Sequence, residues 1–346
     1  MQATLSIDLG AICDNWRALD ALSGPQVETG AVVKADAYGL GAVKVAPALK
    51  SAGVKRFFVA QAEEAVALRA VLGPEAVIYN FSGLMAGDDE AVVEHGMVPV
   101  LNSAAQVKAF AGKFKGRPCG IQLDTGMNRL GMEALEAASV GFDIATLQPD
   151  LVMSHLACAD EPLHPMNATQ LATFSAMSFA IPARQKSLGA TGGVLLGAPF
   201  HFELTRPGIG LYGGLPFKGA HPVVELALPL IQVRDVLPGE GVGYGATWVA
   251  TRPSRIATVS GGYADGILRA AKGLSLYAGK APCPVVGRIS MDLITVDITD
   301  LPKTPASLSL LNTVQTVDLL AEKAGTIGYE ILTSLGGRYQ RHYLGE

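Results

Sequence analysis

Between residues 31 and 212, short apolar runs alternate with stretches whose apolar residues recur at helical spacing. The runs are 31–35, 56–61, 76–81, 98–102, 119–125, 151–156, 185–190 and 207–212, with helical patterns at 43–52, 61–72, 104–114, 133–147 and 167–179. Strands alternating with helices require right-handed crossovers and a parallel sheet, and eight such units close into a (β/α)8 barrel. An open doubly wound sheet accommodates eight units less well. After about residue 220 the texture changes. Segments 223–228, 231–236, 255–259, 283–288 and 293–298 are strand-like, bounded by Pro-Gly or Gly-Gly turns, with no long helical pattern between them. The expected architecture is therefore a TIM barrel over residues 1–222 followed by a mostly β domain over 223–346.

The chain has 346 residues, of which 49% are hydrophobic and 17% charged, so a large core is available and disorder is not expected. Its net charge is -4 and it contains no lysine or arginine run. That balance argues against nucleic acid or an anionic membrane surface as a partner and favours small molecules. No segment is apolar for the roughly 18 residues of a membrane span, and the first residues carry neither a basic leader nor a signal-length apolar stretch. A cytoplasmic protein is expected. Cys13, Cys119, Cys158 and Cys283 form no C-x-x-C pair, so neither a zinc site nor a disulfide framework is implied.

The first apolar run ends in Lys34 and breaks into a loop with Gly39 and Gly41. The carboxyl ends of strands are where parallel α/β folds bind ligands. A lysine delivered there can be desolvated into a neutral nucleophile that condenses with an aldehyde. The plainer alternative is a strand-end lysine whose ammonium reaches solvent.

Other polar groups punctuate the pattern. Arg129, in Asp124-Thr-Gly-Met-Asn-Arg-Leu-Gly131, offers a planar fork suited to a carboxylate or phenolate oxygen, or to a surface salt bridge. His155 lies in an apolar run, as a core histidine would, although a strand-end imidazole could also lie against an aromatic ligand. Arg206-Pro-Gly-Ile-Gly-Leu-Tyr-Gly-Gly214 sets open backbone amides beside an arginine at the last strand, where barrels commonly bind phosphate. The preceding loop adds the Thr191 hydroxyl. A glycine-rich turn that only reverses the chain fits as well. Tyr244 stands between glycines, which exposes its phenol. A tyrosine serves as a base near neutral pH only if neighbours stabilise the phenolate.

Taken together, AVVKADAYGLG, DTGMNRLG, SHLACAD, RPGIGLYG, GYGATW, GYADG and GRISMD resemble, in order, the motifs of the alanine racemase family, fold-type III pyridoxal-phosphate enzymes. The likeness runs from the first strands to the last. It implies that Lys34 carries pyridoxal 5'-phosphate as a Schiff base and serves the D-alanine face, with Tyr244 as the opposite base serving L-alanine. In the family this tyrosine comes from a second subunit, which implies a homodimer with shared sites. Arg129, Met291, Tyr263 and Asp292 would face the substrate. Tyr38, Thr191, Gly208 and Ile209 would hold the phosphate, with Tyr339 aligned to a further phosphate tyrosine, and His155 would lie near the ring. The implied activity is the interconversion of L- and D-alanine, supplying D-alanine for peptidoglycan.

Arg206 looks like the partner of the pyridine nitrogen. A guanidinium is donor-only and stays protonated, so the ring nitrogen facing it must accept and remain unprotonated. The ring is then a weaker electron sink, which favours rapid reprotonation at Cα over transamination. Two positions depart from the family pattern. Gln122 stands where the family often has a carbamylated lysine bracing the arginine; a neutral amide can still accept one hydrogen bond from Arg129 but lacks charge assistance, so the bracing should be looser or supplied otherwise. Ala190-Thr191 replaces an Asn-Ser pair, keeping the hydroxyl and losing the amide. A serine or broad-specificity racemase, a diamino-acid decarboxylase and a non-catalytic pyridoxal-phosphate carrier are the rival readings.

Overall fold

The computed structural model describes residues 2–345. The chain divides into two compact units, residues 12–220 and residues 1–11 with 221–346.

The first unit is the barrel. Seven parallel strands, Ala31–Val32, Arg56–Val59, Val77–Asn80, Met97–Leu101, Gly120–Gln122, Leu151–Met153 and Gln185–Ser187, pair in sequence order. Most of their residues are buried on both faces, as a parallel sheet covered by helices requires. The eighth strand is Leu204–Thr205, paired in parallel with Glu28–Thr29, and a bridge between Ala190 and Arg206 joins it to the seventh. Amides of Gly30 and Val32 donate to the carbonyls of Thr205 and Pro207 at 2.9 Å and carry the closure round to the first strand.

The run at 207–212, expected to be that strand, is instead a loop leading into a 3-10 turn at Ile209–Tyr212. Pro207 has no N–H to give a ladder, and Gly208 adopts φ -125, ψ -92, outside strand geometry. The helical pattern at 133–147 is likewise two helices, Ala134–Ser139 and Gly141–Leu147, broken at Val140.

Arg56, at the amino end of its strand, is buried and donates to Glu28 at 3.0 Å, Asp150 at 2.7 Å and the Tyr79 hydroxyl at 2.5 Å. Tyr79 donates in turn to Asp150. This satisfied cluster plugs the amino-terminal end of the barrel, leaving the carboxyl ends of the strands for a ligand.

The second unit is mostly β. Its sheet runs Ala281–Pro284, Ser275–Ala278, Ser307–Leu311, Val224–Val236, Thr4–Asp8 and Gln340–Leu344, with Ser254–Ser260 and then Leu293–Asp297 added along the far half of Val224–Val236. Residues 2–11, expected to open the barrel segment, therefore belong here. Thr4–Asp8 pairs antiparallel with Val224–Val236 and parallel with Gln340–Leu344, burying Leu5 and Ile7.

The segments 223–228 and 231–236 are one strand that changes partners at Pro229, with a register shift between Leu230 and Gln232. Proline cannot donate to a ladder, and a bulge bends the strand where it passes from one neighbour to the next. Two helices absent from the sequence expectation, Val317–Ala324 and Gly328–Ser334, complete the unit. No helix among the described residues is long and apolar enough to cross a membrane. The four cysteines are free thiols.

Candidate active site

Lys34 follows the first barrel strand and begins a turn of unusual hand. Ala35, Asp36, Ala37 and Tyr38 have φ of 52, 53, 55 and 56, four consecutive non-glycine residues in the left-handed region. Each such residue costs roughly 1–2 kcal/mol against the right-handed form, so outside contacts must hold the turn. Ala37 N–H donates to Val33 O at 2.9 Å and Gly41 N–H to Asp36 O at 2.8 Å, while the Asp36 carboxylate accepts from Ala42 N–H at 2.7 Å. The Glu64 carboxylate accepts from Ala35 N–H at 2.5 Å and from Asp36 N–H at 3.4 Å. The Lys34 amine is half-buried and 6.0 Å from the Phe81 ring centroid. Burial and the Arg129 guanidinium lower its pKa, and Glu64 opposes them.

Arg206 is the most buried cation among the described residues of the barrel. It is 1% exposed; its Nη2 donates to Ser154 O at 2.5 Å, and its Nε is buried without a hydrogen-bond partner. Burial alone draws its pKa to about 9, so it remains charged near neutrality. His155 stands two residues beyond the strand Leu151–Met153. Its pKa falls to about 3, first through burial and then through Arg206, Arg129 and Lys34, so the imidazole is neutral.

A buried network aligns this segment. Gln170 Nε2 donates to His155 O at 2.9 Å and to the Thr125 hydroxyl at 3.1 Å; Thr125 and Ser154 hydroxyls lie 2.8 Å apart; and Ala157 N–H donates to Gln170 Oε1 at 2.8 Å. Sequence reasoning missed Gln170, which reads as an ordinary polar residue within the helix Pro165–Phe179.

The glycine-rich loops meet at Thr191. Its hydroxyl oxygen accepts from Gly208 N–H at 3.1 Å and Gly210 N–H at 3.2 Å, which leaves its own hydrogen to donate onward. A side chain at Gly208 would overlap the Tyr38 hydroxyl, so glycine is what lets that phenol approach the loop. Tyr38 packs on Tyr212 with ring centroids 4.6 Å apart, and Tyr212 donates to Val32 O at 2.9 Å. Thr191, Gly208 and Ile209 are all buried. Tyr212 was read only as part of the loop motif, yet it ties that loop to the strand before Lys34.

Arg129 sits on a closed excursion. Asp124 N–H donates to Met132 O at 2.9 Å and Met132 N–H to Gln122 O at 3.0 Å, and the Asp124 carboxylate accepts from Gly126 and Asn128 amides. Arg129 itself is exposed. Gln122 is buried, and among the described residues no hydrogen bond joins its amide to Arg129.

The remaining expected residues belong to the β unit. Tyr244 is 73% exposed on a 3-10 turn between the short strands Gly241–Val242 and Trp248–Val249. Tyr263 and Met291 are also exposed, on two loops joined where Tyr263 N–H donates to Ser290 O at 3.1 Å and Ala264 N–H to Met291 O at 3.0 Å. Arg338 fastens both loops, with a two-pronged bond to Asp265 at 2.6 and 2.8 Å and a third to Asp292 at 2.8 Å. Asp292 is thus bonded to Arg338, a partner not anticipated for it. Tyr339 also departs from expectation: it is buried and its hydroxyl donates to Asp265 O at 2.8 Å, which commits it to the loop and not to a phosphate. Asp265 and Arg338 were not singled out from the sequence, although Asp265 lies inside the GYADG motif and Arg338 precedes Tyr339.

The barrel residues fit pyridoxal 5'-phosphate. Lys34 is a lysine with a lowered pKa, Arg206 has an unsatisfied buried donor, and the Thr191–Gly208 loop forms a donor-rich cradle into which Tyr38 reaches. Lys34, Arg129 and Arg206 together supply positive charge for an anionic ligand.

Comparison with known proteins agrees. Residues 7–216 match the family description "Alanine racemase, N-terminal domain" and residues 223–343 match "Alanine racemase, C-terminal domain". The chain is 58% identical over 344 residues to the alanine racemase of Dinoroseobacter shibae, covering 99% of this chain and 98% of that one. It is 57% identical over 344 residues to that of a Ruegeria species, covering 99% of each. The crystal structure of alanine racemase from Bartonella henselae with covalently bound pyridoxal phosphate superposes with a TM-score of 0.94 at 39% identity, over 99% of this chain and 100% of that one. The biosynthetic enzyme of Pseudomonas aeruginosa superposes with a TM-score of 0.91 at 36% identity, over 99% of both. With two family matches spanning nearly its whole length and relatives this similar, the chain belongs to the alanine racemase family.

Proposed function

We propose that this protein interconverts L- and D-alanine with pyridoxal 5'-phosphate and two bases, Lys34 and Tyr244, and that its D-alanine feeds peptidoglycan. The observation that carries the reading is the buried, unpaired Nε of Arg206 in a barrel that also presents Lys34 with a lowered pKa. When bound, the cofactor supplies an aldehyde for amine attachment and an electron-withdrawing ring that acidifies the substrate Cα–H.

The chain's own groups would do the rest. Lys34 attaches the cofactor and holds or returns a proton on one side of Cα. Tyr244 does so on the other side, and a proton removed from one face and replaced on the opposite face inverts the centre. Arg129 offers its fork to the substrate carboxylate. Arg206 would offer its free Nε–H to the ring nitrogen, which would have to accept and stay unprotonated, because a guanidinium has no lone pair to accept with. Thr191, Gly208, Ile209 and Tyr38 would hold the phosphate, and neutral His155 would lie near the ring without adding charge. Tyr263, Met291 and Asp292 line the substrate side.

Tyr244, exposed on its hairpin, would reach the site of a second copy, making the working unit a homodimer. A serine or broad-specificity racemase is not favoured, since the relatives at 55–58% identity are named alanine racemase. The test is L-alanine with purified protein in deuterated water, followed by chiral chromatography. Deuterium should enter Cα of both isomers, and Tyr244→Phe should abolish L-alanine turnover with the cofactor still bound. Full activity in that variant would remove Tyr244 from the mechanism. Mixing inactive Lys34→Ala and Tyr244→Phe proteins should restore part of the activity only if sites are shared between subunits.

A further inference from the structure

Glu64 lies in the first turn of the helix Ala62–Leu72, where a carboxylate would ordinarily cap its own helix. One oxygen does so, accepting Ala60 N–H at 2.8 Å and Gln61 N–H at 3.1 Å. The other oxygen leaves the helix and accepts Ala35 N–H at 2.5 Å and Asp36 N–H at 3.4 Å, the first two amides after Lys34. A single carboxylate thus ties the left-handed turn to the start of a packed helix through four amides. It is also the acid that acts on the Lys34 amine, against Arg129.

The other charged groups on the elements around the turn are engaged elsewhere or face solvent. Lys50 donates to Leu72 O, Arg69 to the carbonyls of Gly73, Ala76, His95 and Gly96, and Arg56 to Glu28 and Asp150. Lys44 and Glu63 are exposed, the Asp36 carboxylate accepts from Ala42 N–H, and His155 is neutral.

We propose that Glu64 is a positioning residue for Lys34: its carboxylate fixes the turn that aims the lysine and supplies the negative charge that balances Arg129 at the amine. The inference rests on the reading of Lys34 as the cofactor-bearing base. A backbone of four left-handed residues persists only where its surroundings over-determine it, and a charge-assisted acceptor does so without adding bulk.

The test uses the full-length protein freed of cofactor with hydroxylamine. Lysines are acetylated competitively across neutral to alkaline pH, and the Lys34 peptide is read by mass spectrometry against other lysine peptides of the same digest. Glu64→Gln should move the Lys34 midpoint to lower pH and raise its relative labelling near neutrality about threefold to tenfold, the effect of one charge in a partly screened site. The same variant should take up pyridoxal phosphate several-fold more slowly, followed by visible absorbance, because the aim of the side chain is lost. A lesion that merely loosened the fold would not raise one rate and lower the other in this way. Glu63→Gln, which removes the same charge from the same turn without touching these amides, should match the wild type in both. If Glu64→Gln does not fold, Glu64→Asp carries the test, with shifts in the same directions and of smaller size. An unchanged midpoint, or uptake at the wild-type rate, overturns the proposal. Borohydride trapping of the wild type separates the two readings: cofactor found on another lysine would sink the assignment of Lys34 and leave the labelling result to be judged by itself.

Discussion

The Arg206 guanidinium donates to the carbonyl of Ser154 at 2.5 Å and leaves its Nε buried and unpaired. One end of the fork is anchored by the chain and the other is held ready for a ligand. Lysine keeps the charge but lacks the planar fork, so it cannot do both. Arg206→Lys should weaken pyridoxal phosphate binding by about 1.5–3 kcal/mol, the range for hydrogen bonds involving charged groups. A spectrophotometric titration of the cofactor-free variant checks this, and an affinity equal to the wild type would remove Arg206 from the site.

Thr191 accepts two buried amides with one oxygen. Thr191→Val preserves shape and leaves the Gly208 and Gly210 N–H groups without an acceptor, at about 1–3 kcal/mol for each unsatisfied buried group. The variant should melt earlier than the wild type when free of cofactor, and should regain part of the difference when phosphate-bearing cofactor is added. Differential scanning calorimetry with and without pyridoxal phosphate reads both effects.

His155 makes acid stability a property of the site. Its folded pKa is about 3 against an ordinary 6.5, so between those values the unfolded chain takes up a proton that the folded chain refuses. Stability from this group is therefore fully present above about pH 6.5 and is lost as pH falls toward 3. Urea unfolding midpoints measured at descending pH should fall more steeply for the wild type than for His155→Gln. Parallel slopes would mean that His155 is not held neutral.

Arg338 fastens Tyr263 and Met291 through Asp265 and Asp292 without lying in the barrel. Arg338→Ala should lower kcat/KM for alanine several-fold, mostly by raising KM, while cofactor affinity stays at the wild-type value. Steady-state kinetics beside the same cofactor titration distinguish this from a general loss of fold, which would reduce both.

Much of this arrangement was legible in the sequence because strand and glycine signals are local. Lys34 could be placed at a strand end from an apolar run that stops at a polar residue, and the glycine-rich loop after Arg206 stood out by its composition. The true closing strand could not, since Leu204–Thr205 is only two residues long and the apolar stretch after it advertises itself more strongly. Nothing in Ala-Asp-Ala-Tyr announces a left-handed turn. Its conformation is imposed by Glu64, Asp36 and the strand beside it, and such contacts have no periodicity to read. Thr4–Asp8 was missed for the same reason: its partners come from the opposite end of the chain. Gln170, Asp265 and Arg338 act through hydrogen bonds between distant segments, so composition and spacing gave them no distinction.

Because Thr4–Asp8 lies between Val224–Val236 and Gln340–Leu344, the barrel is in effect spliced into the β unit after its opening strand. During synthesis Thr4–Asp8 must wait with both edges unpaired until the barrel is made and Val224–Val236, then Gln340–Leu344, follow it. Removing Gln340–Leu344 should therefore leave one edge of Thr4–Asp8 unpaired.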